Sequence, residues 1–400
     1  MRSTGIRIRT LAALALAAGC QADRPDDALP IGLLLSYSGD LAASSINSER
    51  AFLMAVQAAN LAGGVAGRPI TVIARDTGSD PAKVTQPALE LVAAQAAVIV
   101  GPDMPDLAVA LRIGFSQRTL ILPSFTTSSN DHKPHGWFVM GAGPSTVACE
   151  LFAQVAGSGA KKPLLLSGTN AYDSDLAFAL TGQYGVPEIF LPGEVPSNNK
   201  TVQPILDFQA DAYILTTAPP AASSLFYTLA ALDQLGDPNR WFLSPSLHTP
   251  ALLENVPRGL LEGARGVSAV QTDISGGFQD SFNRRWQDRP LDNAYPFYDA
   301  GAVAVLALQR AVSRTGLLPE GSGLGPHIVA VTNPGGVQVG WDQIGTGLQH
   351  LRAGQEVEYI GLTGPLRYDS SGRTTSASTH WWTIRGHTFE PIPRPASCAP

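Results

Sequence analysis

An α/β fold is the architecture this chain predicts, on three observations. Short apolar runs alternate with amphipathic segments along most of its length. Each run ends in Gly, Ser, Thr, Asp or Pro, or within a residue or two of one. Its 400 residues, 44% of them hydrophobic and only 15% charged, suffice for two or more domains with substantial buried cores. A parallel sheet with crossover helices produces this alternation, because parallel strands cannot be joined by tight hairpins.

The expected strands are 31–35, 70–74, 97–100, 120–122, 164–166, 212–215, 241–243 and 267–270. Between the first two, residues 47–62 place Ala51, Phe52, Ala55, Val56 and Ala59 on one helical face, and Gly63-Gly64 ends that helix. Asp80-Pro81 reads as an N-cap followed by a proline in the first turn, with Pro87 kinking the helix it starts. In the last third, Phe278, Phe282 and Trp286 follow helical spacing and read as core. Residues 295–312 and 342–353 are expected helices, and 357–360 a strand. Residues 364–368 and 379–384 flank Asp369-Ser370-Ser371-Gly372 as a hairpin.

The first nineteen residues read as an export signal. Arg2, Arg7 and Arg9 precede an apolar run, Leu11 to Ala18, that is too short to span a bilayer, and Ala17-Ala18-Gly19 leads to Cys20. This resembles a bacterial lipobox, with Ala17 where that pattern usually has Leu; cleavage near Ala18 by an ordinary signal peptidase is the alternative. Residues 1–19 are thus the lipoprotein signal, Cys20 the lipidation site and 20–29 a tether. Acyl chains on Cys20, each buried methylene contributing about 0.8 kcal/mol, would hold the protein at a membrane without a spanning helix. Gln21 after the cysteine resembles an outer-membrane sorting signal. An oxidising compartment would permit Cys149 and Cys398 to pair, and spacing leaves open whether they meet.

Charge excludes one class of partner. The net charge of −6 becomes −9 once the three signal-peptide arginines are removed, a poor basis for nucleic-acid binding. No Rossmann fingerprint, P-loop, nucleophile elbow or two-histidine zinc motif is present; Gly141-Ala142-Gly143 lacks a third glycine and precedes Pro144. His132 and His135 share a proline-containing loop and are assigned no metal. No cofactor is expected, and no nucleophile, base and orienting group assemble from motifs, so the chain reads as a non-enzyme.

Several segments, in order, resemble the type I periplasmic binding proteins of the leucine/isoleucine/valine-binding family. They are Ile31-Gly32-Leu33-Leu34-Leu35-Ser36-Tyr37-Ser38-Gly39, then residues 60–70 with Asp76 and Asp80-Pro81, Val98-Ile99-Val100-Gly101-Pro102 and Pro123-Ser124-Phe125-Thr126-Thr127. Tyr298-Asp299-Ala300, Gly364-Pro365, Tyr368-Asp369 and Gly372 complete the pattern. The resemblance implies two doubly wound α/β lobes joined by a three-segment hinge near 141–144, 270–274 and 362–365. Lobe 1 would be 30–142 plus 272–363, and lobe 2 would be 143–271 plus 364–400. A small polar ligand, an amino acid or related amide or organic acid, would lie between them at the strand ends.

The ligand-binding residues implied are Ser38, Ser44, Asp103, Phe125, Thr126, Thr127, Tyr172, Thr217, Ser246 and Tyr295. Thr126 or Thr127 would hold a carboxylate with Ser128 and Ser129 beside them, and Tyr172 would cover the ligand. Turn capping, N-capping and a surface loop tyrosine are the plain alternatives for these residues. Ser246 stands where amino-acid binders of the family place the glutamate that pairs with the ligand ammonium. Ser44 replaces an aromatic, and Met104-Pro105 stands where a carboxylate-binding serine is expected, so an ordinary branched-chain amino acid is not the expected ligand. The partners implied are the permease and ATPase of an ABC importer, with the chain periplasmic, anchored to a membrane only by lipid, the outer membrane being possible. The alternative is an envelope lipoprotein of the same fold that senses or regulates cell-wall synthesis through protein contacts.

Overall fold

The computed structural model describes residues 27–39, 41–112, 119–123, 136–191, 193, 199–269, 277–375 and 379–393. The lipobox with Cys20, the Phe125-Thr126-Thr127 loop, His132, His135 and Cys398 lie outside these residues.

Two main sheets organise the chain. The first contains β1 (Leu29–Leu35), β2 (Ile70–Asp76), β3 (Ile99–Val100), β4 (Leu120–Leu122) and β5 (Trp137–Val139), in the order β2-β1-β3-β4-β5 with every pairing parallel. Residues of β1 are buried throughout, as expected for a central strand covered by helices on both faces. The second contains β6 (Pro163–Ser167), β7 (Glu188–Phe190), β8 (Ala212–Thr216), β9 (Trp241–Leu243) and β10 (Arg265–Ser268), also parallel. A three-stranded sheet of β11 (Val337–Gly340), β12 (Val357–Gly361) and β13 (Gly364–Pro365) sits beside the first. The chain then returns to the second sheet, where β14 (His380–Arg385) pairs antiparallel with β10 and with β15 (Thr388–Ile392).

Helices α1 (Ala42–Leu61), α2 (Thr85–Ala93) and α3 (Pro105–Arg112) belong to the first sheet, and α4 (Pro144–Gly157), α5 (Ala171–Tyr184), α6 (Asn199–Phe208), α7 (Pro219–Ala231) and α8 (Pro250–Glu254) to the second. Then α9 (Gly277–Trp286), α10 (Ala294–Thr315), α11 (Gly325–Thr332) and α12 (Ile344–Arg352) rejoin the first sheet's core. Phe278 and Phe282 are buried there, as their spacing predicts. Among the described residues no helix is long and apolar enough to cross a membrane.

Helix α10 packs against α1, α11 and α12, and residues 294–309 are buried on every side. Its small residues, including Ala300, Ala302, Ala304 and Ala307, let neighbouring helices approach from several directions. One buried acid fastens it: the Asp299 carboxylate accepts hydrogen bonds from the Tyr359 hydroxyl (2.7 Å), the N–H groups of Leu362 and Thr363 (2.8 Å each) and the Thr363 hydroxyl (2.7 Å). The Tyr298-Asp299-Ala300 segment is therefore a fastening between α10 and the β12–β13 turn.

The chain passes between the sheets three times, after β5, after β10 and after Thr375. The first runs from Met140 in the first core to Ala142 in the second, and the second, expected at 270–274, lies outside the described residues. The third comes later than 362–365, because Leu366 and Tyr368 stay in the first core and the Val139 N–H donates to the Gly372 carbonyl at 3.0 Å. The expected hairpin across Asp369–Gly372 is replaced by two others, β12 with β13 and β14 with β15, leaving a single bridge between Tyr368 and Thr374. Helix α2 begins at Thr85, so Pro87 falls in its first turn, where a backbone N–H would have no partner within the helix. Asp80 caps a turn instead, accepting from the Ala82 N–H at 2.9 Å. Cys149, in α4, is disulfide-bonded to a partner outside the described residues.

Candidate ligand site between the lobes

Loops at the carboxyl ends of the parallel strands face each other across the two lobes, which is where ligands of open α/β sheets sit. On the first lobe these are residues 36–39 after β1, 76–79 after β2 and 101–106 after β3. On the second they are 168–173 after β6, 217 after β8 and 244–248 after β9. One hydrogen bond joins the walls directly: the Ala171 N–H, at the start of α5, donates to the Asp106 carboxylate in the first turn of α3, at 2.9 Å. A carboxylate satisfies an amide that has no partner inside its own helix.

The first wall is tied up within itself. The Asp103 carboxylate accepts from the Ser36 N–H (3.1 Å), the Ser36 hydroxyl (2.8 Å) and the Ser45 hydroxyl. Asp76 accepts from the N–H groups of Tyr37 (2.8 Å), Ser38 (3.2 Å) and Gly78 (2.8 Å) and from the Ser38 hydroxyl (2.6 Å). Burial pushes the Asp76 carboxyl upward, but these donors together outweigh it and hold the group below its ordinary value.

The second wall centres on Asp173, which is fully buried. Its carboxylate accepts from the Thr216 hydroxyl (2.6 Å), the Ser246 hydroxyl (3.4 Å) and the Asn170 amide. Asn170 is also the N-cap of α5, accepting from the Asp173 N–H at 2.8 Å. Gly168 allows this crowding: a Cβ there would lie 2.6 Å from Thr217 Oγ1 and 2.9 Å from Asp173 Oδ2. Burial raises the Asp173 carboxyl from 3.8 to about 6, with Thr216 and Ser246 pulling it down and the Asp106 charge pushing it up. Asp106 is itself raised by burial, against the lowering effect of the Ala171 N–H.

The described candidate residues take distinct positions. Ser38 is exposed and donates to Asp76, while Ser44 lies in the first turn of α1 and donates to the Leu41 carbonyl at 2.9 Å. Asp103 is buried and spends its oxygens on serines, and Ser246 meets Asp173. Thr217 is buried against the space beside Gly168. Tyr172 lies in the second lobe's core, 1% exposed, among Val147, Leu151, Leu165 and Leu176. Tyr295 opens α10 with its ring 5.2 Å from that of Phe278. The structure thus brings Thr217 and Ser246 around one carboxylate and sets Ser38 and Asp103 in the opposite wall, with Ser44 and Tyr295 turned to their own helices and cores.

Sequence reasoning passed over Ser36, Ser45, Asp106, Asp173 and Thr216. The Asn170-to-Asp173 spacing was an available signal, since an N-cap followed three residues later by an acid marks a helix start. The start of α1, five residues before the expected Asn47, explains the omission of Ser45.

Comparison with known proteins agrees with this architecture. A family model described as periplasmic binding protein matches residues 28–341. Among solved structures, the branched-chain amino acid transporter substrate-binding protein LivJ of Streptococcus pneumoniae, in complex with isoleucine, aligns at TM-score 0.73 and 16% identity, covering 91% of this chain and 98% of that one. The leucine-binding protein LivK of Thermotoga maritima aligns at TM-score 0.73 and 14% identity, covering 91% and 98%. A solute-binding protein of an R. palustris ABC transporter, in complex with benzoate, aligns at TM-score 0.68 and 16% identity, covering 91% and 95%. No curated protein matches the sequence. With three quarters of its residues inside the family model and two lobes of the matching topology, the chain belongs to the type I periplasmic binding proteins.

Proposed function

We propose that this chain is the extracytoplasmic solute-binding lipoprotein of an ABC importer, anchored through Cys20 and closing its two lobes on a small polar ligand. The observation that carries this reading is the pair of facing walls, joined by the Ala171–Asp106 hydrogen bond and backed by Asp173. Family resemblance implies an acid at Ser246 in amino-acid binders. Here the Asp173 carboxylate, meeting the Ser246 hydroxyl from the neighbouring loop, supplies one. An ammonium or amide N–H group of the ligand is the natural counterpart of that carboxylate, because a buried cation without an anionic partner costs several kcal/mol. Solute is handed to a permease, and hydrolysis of ATP belongs to a separate subunit.

Lipid on Cys20 would leave Cys398 as the cysteine able to pair with Cys149. Peptide mapping of the unreduced mature protein tests this: a Cys149–Cys398 peptide supports the anchor, and a Cys149–Cys20 peptide rules it out.

A second reading, an envelope sensor or regulator of wall synthesis, draws support from the first wall, where the hydroxyls of Ser36, Ser38 and Ser45 are committed to carboxylates. A thermal-shift screen against amino acids, amides, aromatic acids, ureas and short peptides separates the two. A solute at about a hundred times its dissociation constant adds about 2.7 kcal/mol of stability. A flat response to every solute, together with the absence of neighbouring permease and ATPase genes, would favour the regulator.

A further inference from the structure

At the far end of the loop after β9, beside the second and third passages between lobes, three side chains converge. His248 Nδ1 meets Asp292 Oδ2, and a nitrogen of His380 completes a trio whose ligand atoms all lie within 4.8 Å of one another. His248 follows β9 and His380 opens β14, both on the second lobe. Asp292 comes from the loop between α9 and α10, which is fastened to the first lobe. The Asn47 side chain of α1 accepts from the Leu291 N–H (2.8 Å) and donates to the Arg289 carbonyl (2.8 Å).

The surroundings hold each group in place. Trp382 stacks on the His248 imidazole at 4.7 Å and 11°, and Phe389 meets the same ring edge-on at 4.5 Å. Trp382 can lie flat against β10 because its cross-strand partner is Gly266; a Cβ there would fall 2.2 Å from the indole ring. Ser268, directly opposite His380 in the same pairing, donates its hydroxyl to Asp292 Oδ2 at 3.0 Å. His248 is only 8% exposed while Asp292 is 31% exposed, so the trio is fixed at its back and reachable from its front.

We propose that His248, Asp292 and His380 bind one divalent transition-metal ion of the zinc class, tying the two lobes together beside the hinge. Two imidazoles and a carboxylate are a borderline-soft donor set suited to zinc, with ligand bonds of about 2.0–2.2 Å and a fourth position left for water. Small side-chain rotations bring atoms already within 4.8 Å to the spacing such bonds need. Ser268 serves as the outer partner that orients the carboxylate.

Equilibrium dialysis of tag-free, chelator-treated mature protein against zinc tests the site, with cobalt absorption reporting tetrahedral geometry. One ion per chain is expected. His380→Gln and Asp292→Asn should each weaken binding at least tenfold, and Ser268→Ala about tenfold, while His350→Gln on α12 leaves binding unchanged. Zinc should raise the melting temperature of the wild type but not of Asp292→Asn, whose folding is checked by circular dichroism. Absence of zinc uptake at micromolar free metal, or uptake indifferent to His380→Gln and Asp292→Asn, overturns the proposal. None of these outcomes depends on the solute bound between the lobes.

Discussion

Two carboxylates on facing walls, Asp76 and Asp173, are held differently. In the first lobe, Asp76 takes three backbone N–H donors and a hydroxyl, and its carboxyl is held low. In the second, Asp173 rests on hydroxyls and one amide side chain, is fully buried, and sits near Asp106 of the opposite lobe; its carboxyl is pushed up to about 6. Backbone N–H groups are held by the chain and favour the charged acid, whereas hydroxyls can rotate and accommodate either protonation state. The turn at Asp76 is accordingly a prebuilt part of the first rim, whereas the Asp173 charge, like that of Asp103, is made costly by burial.

The largest effect should come from breaking the rim. Asp103→Ala leaves the Ser36 N–H and the Ser45 hydroxyl without their acceptor, the Ser36 hydroxyl keeping its bond with Thr77, at about 1–3 kcal/mol for each buried group left unsatisfied. Urea denaturation should show a loss of about 3 kcal/mol or more.

Asp173→Asn should act with the opposite sign. Below about pH 3 the acid is mostly neutral in both folded and unfolded chains and the substitution changes little. As pH rises from 3.8 through about 6, the unfolded acid ionises more readily than the folded one, and the wild type loses stability. The difference corresponds to about 3 kcal/mol at most. The asparagine variant should therefore be more stable than the wild type near pH 7.5 in the absence of ligand, and should bind a cationic solute at least tenfold more weakly.

Asp106→Ala removes the bond between the walls. A hydrogen bond to a charged group contributes about 1.5–3 kcal/mol, and its loss should shift the unliganded protein towards an open form, seen as a larger radius of gyration in solution scattering. The smallest effect should follow Glu90→Gln, which breaks the exposed Arg75–Glu90 pair; about 0.5 kcal/mol is expected from its melting temperature.

Much of the fold was legible in the sequence because hydrophobic period and turn residues speak locally. All eight expected strands form, wholly or in part. Strands β5, β7, β11 and β15 escaped notice: β7 and β15 lie at the ends of the second sheet's order and β11 at an end of the small sheet, and edge strands need no continuous apolar run. The third passage was misplaced because Gly364-Pro365 looks like a break, while the pairings that keep Tyr368 and Gly372 with the first lobe involve residues far away in sequence. The site was legible as loops rather than as contacts. Ser38, Thr217 and Ser246 lie at strand ends, but the carboxylates they meet are brought to them by the assembled sheets, Asp76 from 38 residues away for Ser38 and Asp173 from 73 for Ser246.

Solution X-ray scattering of the mature protein, with and without the solute giving the largest thermal shift, tests the account most directly. Saturating solute should shrink the radius of gyration of the wild type, with Asp106→Ala starting from a larger value and contracting less completely. Tight binding with no change in dimensions in either protein would contradict closure of two lobes on a ligand.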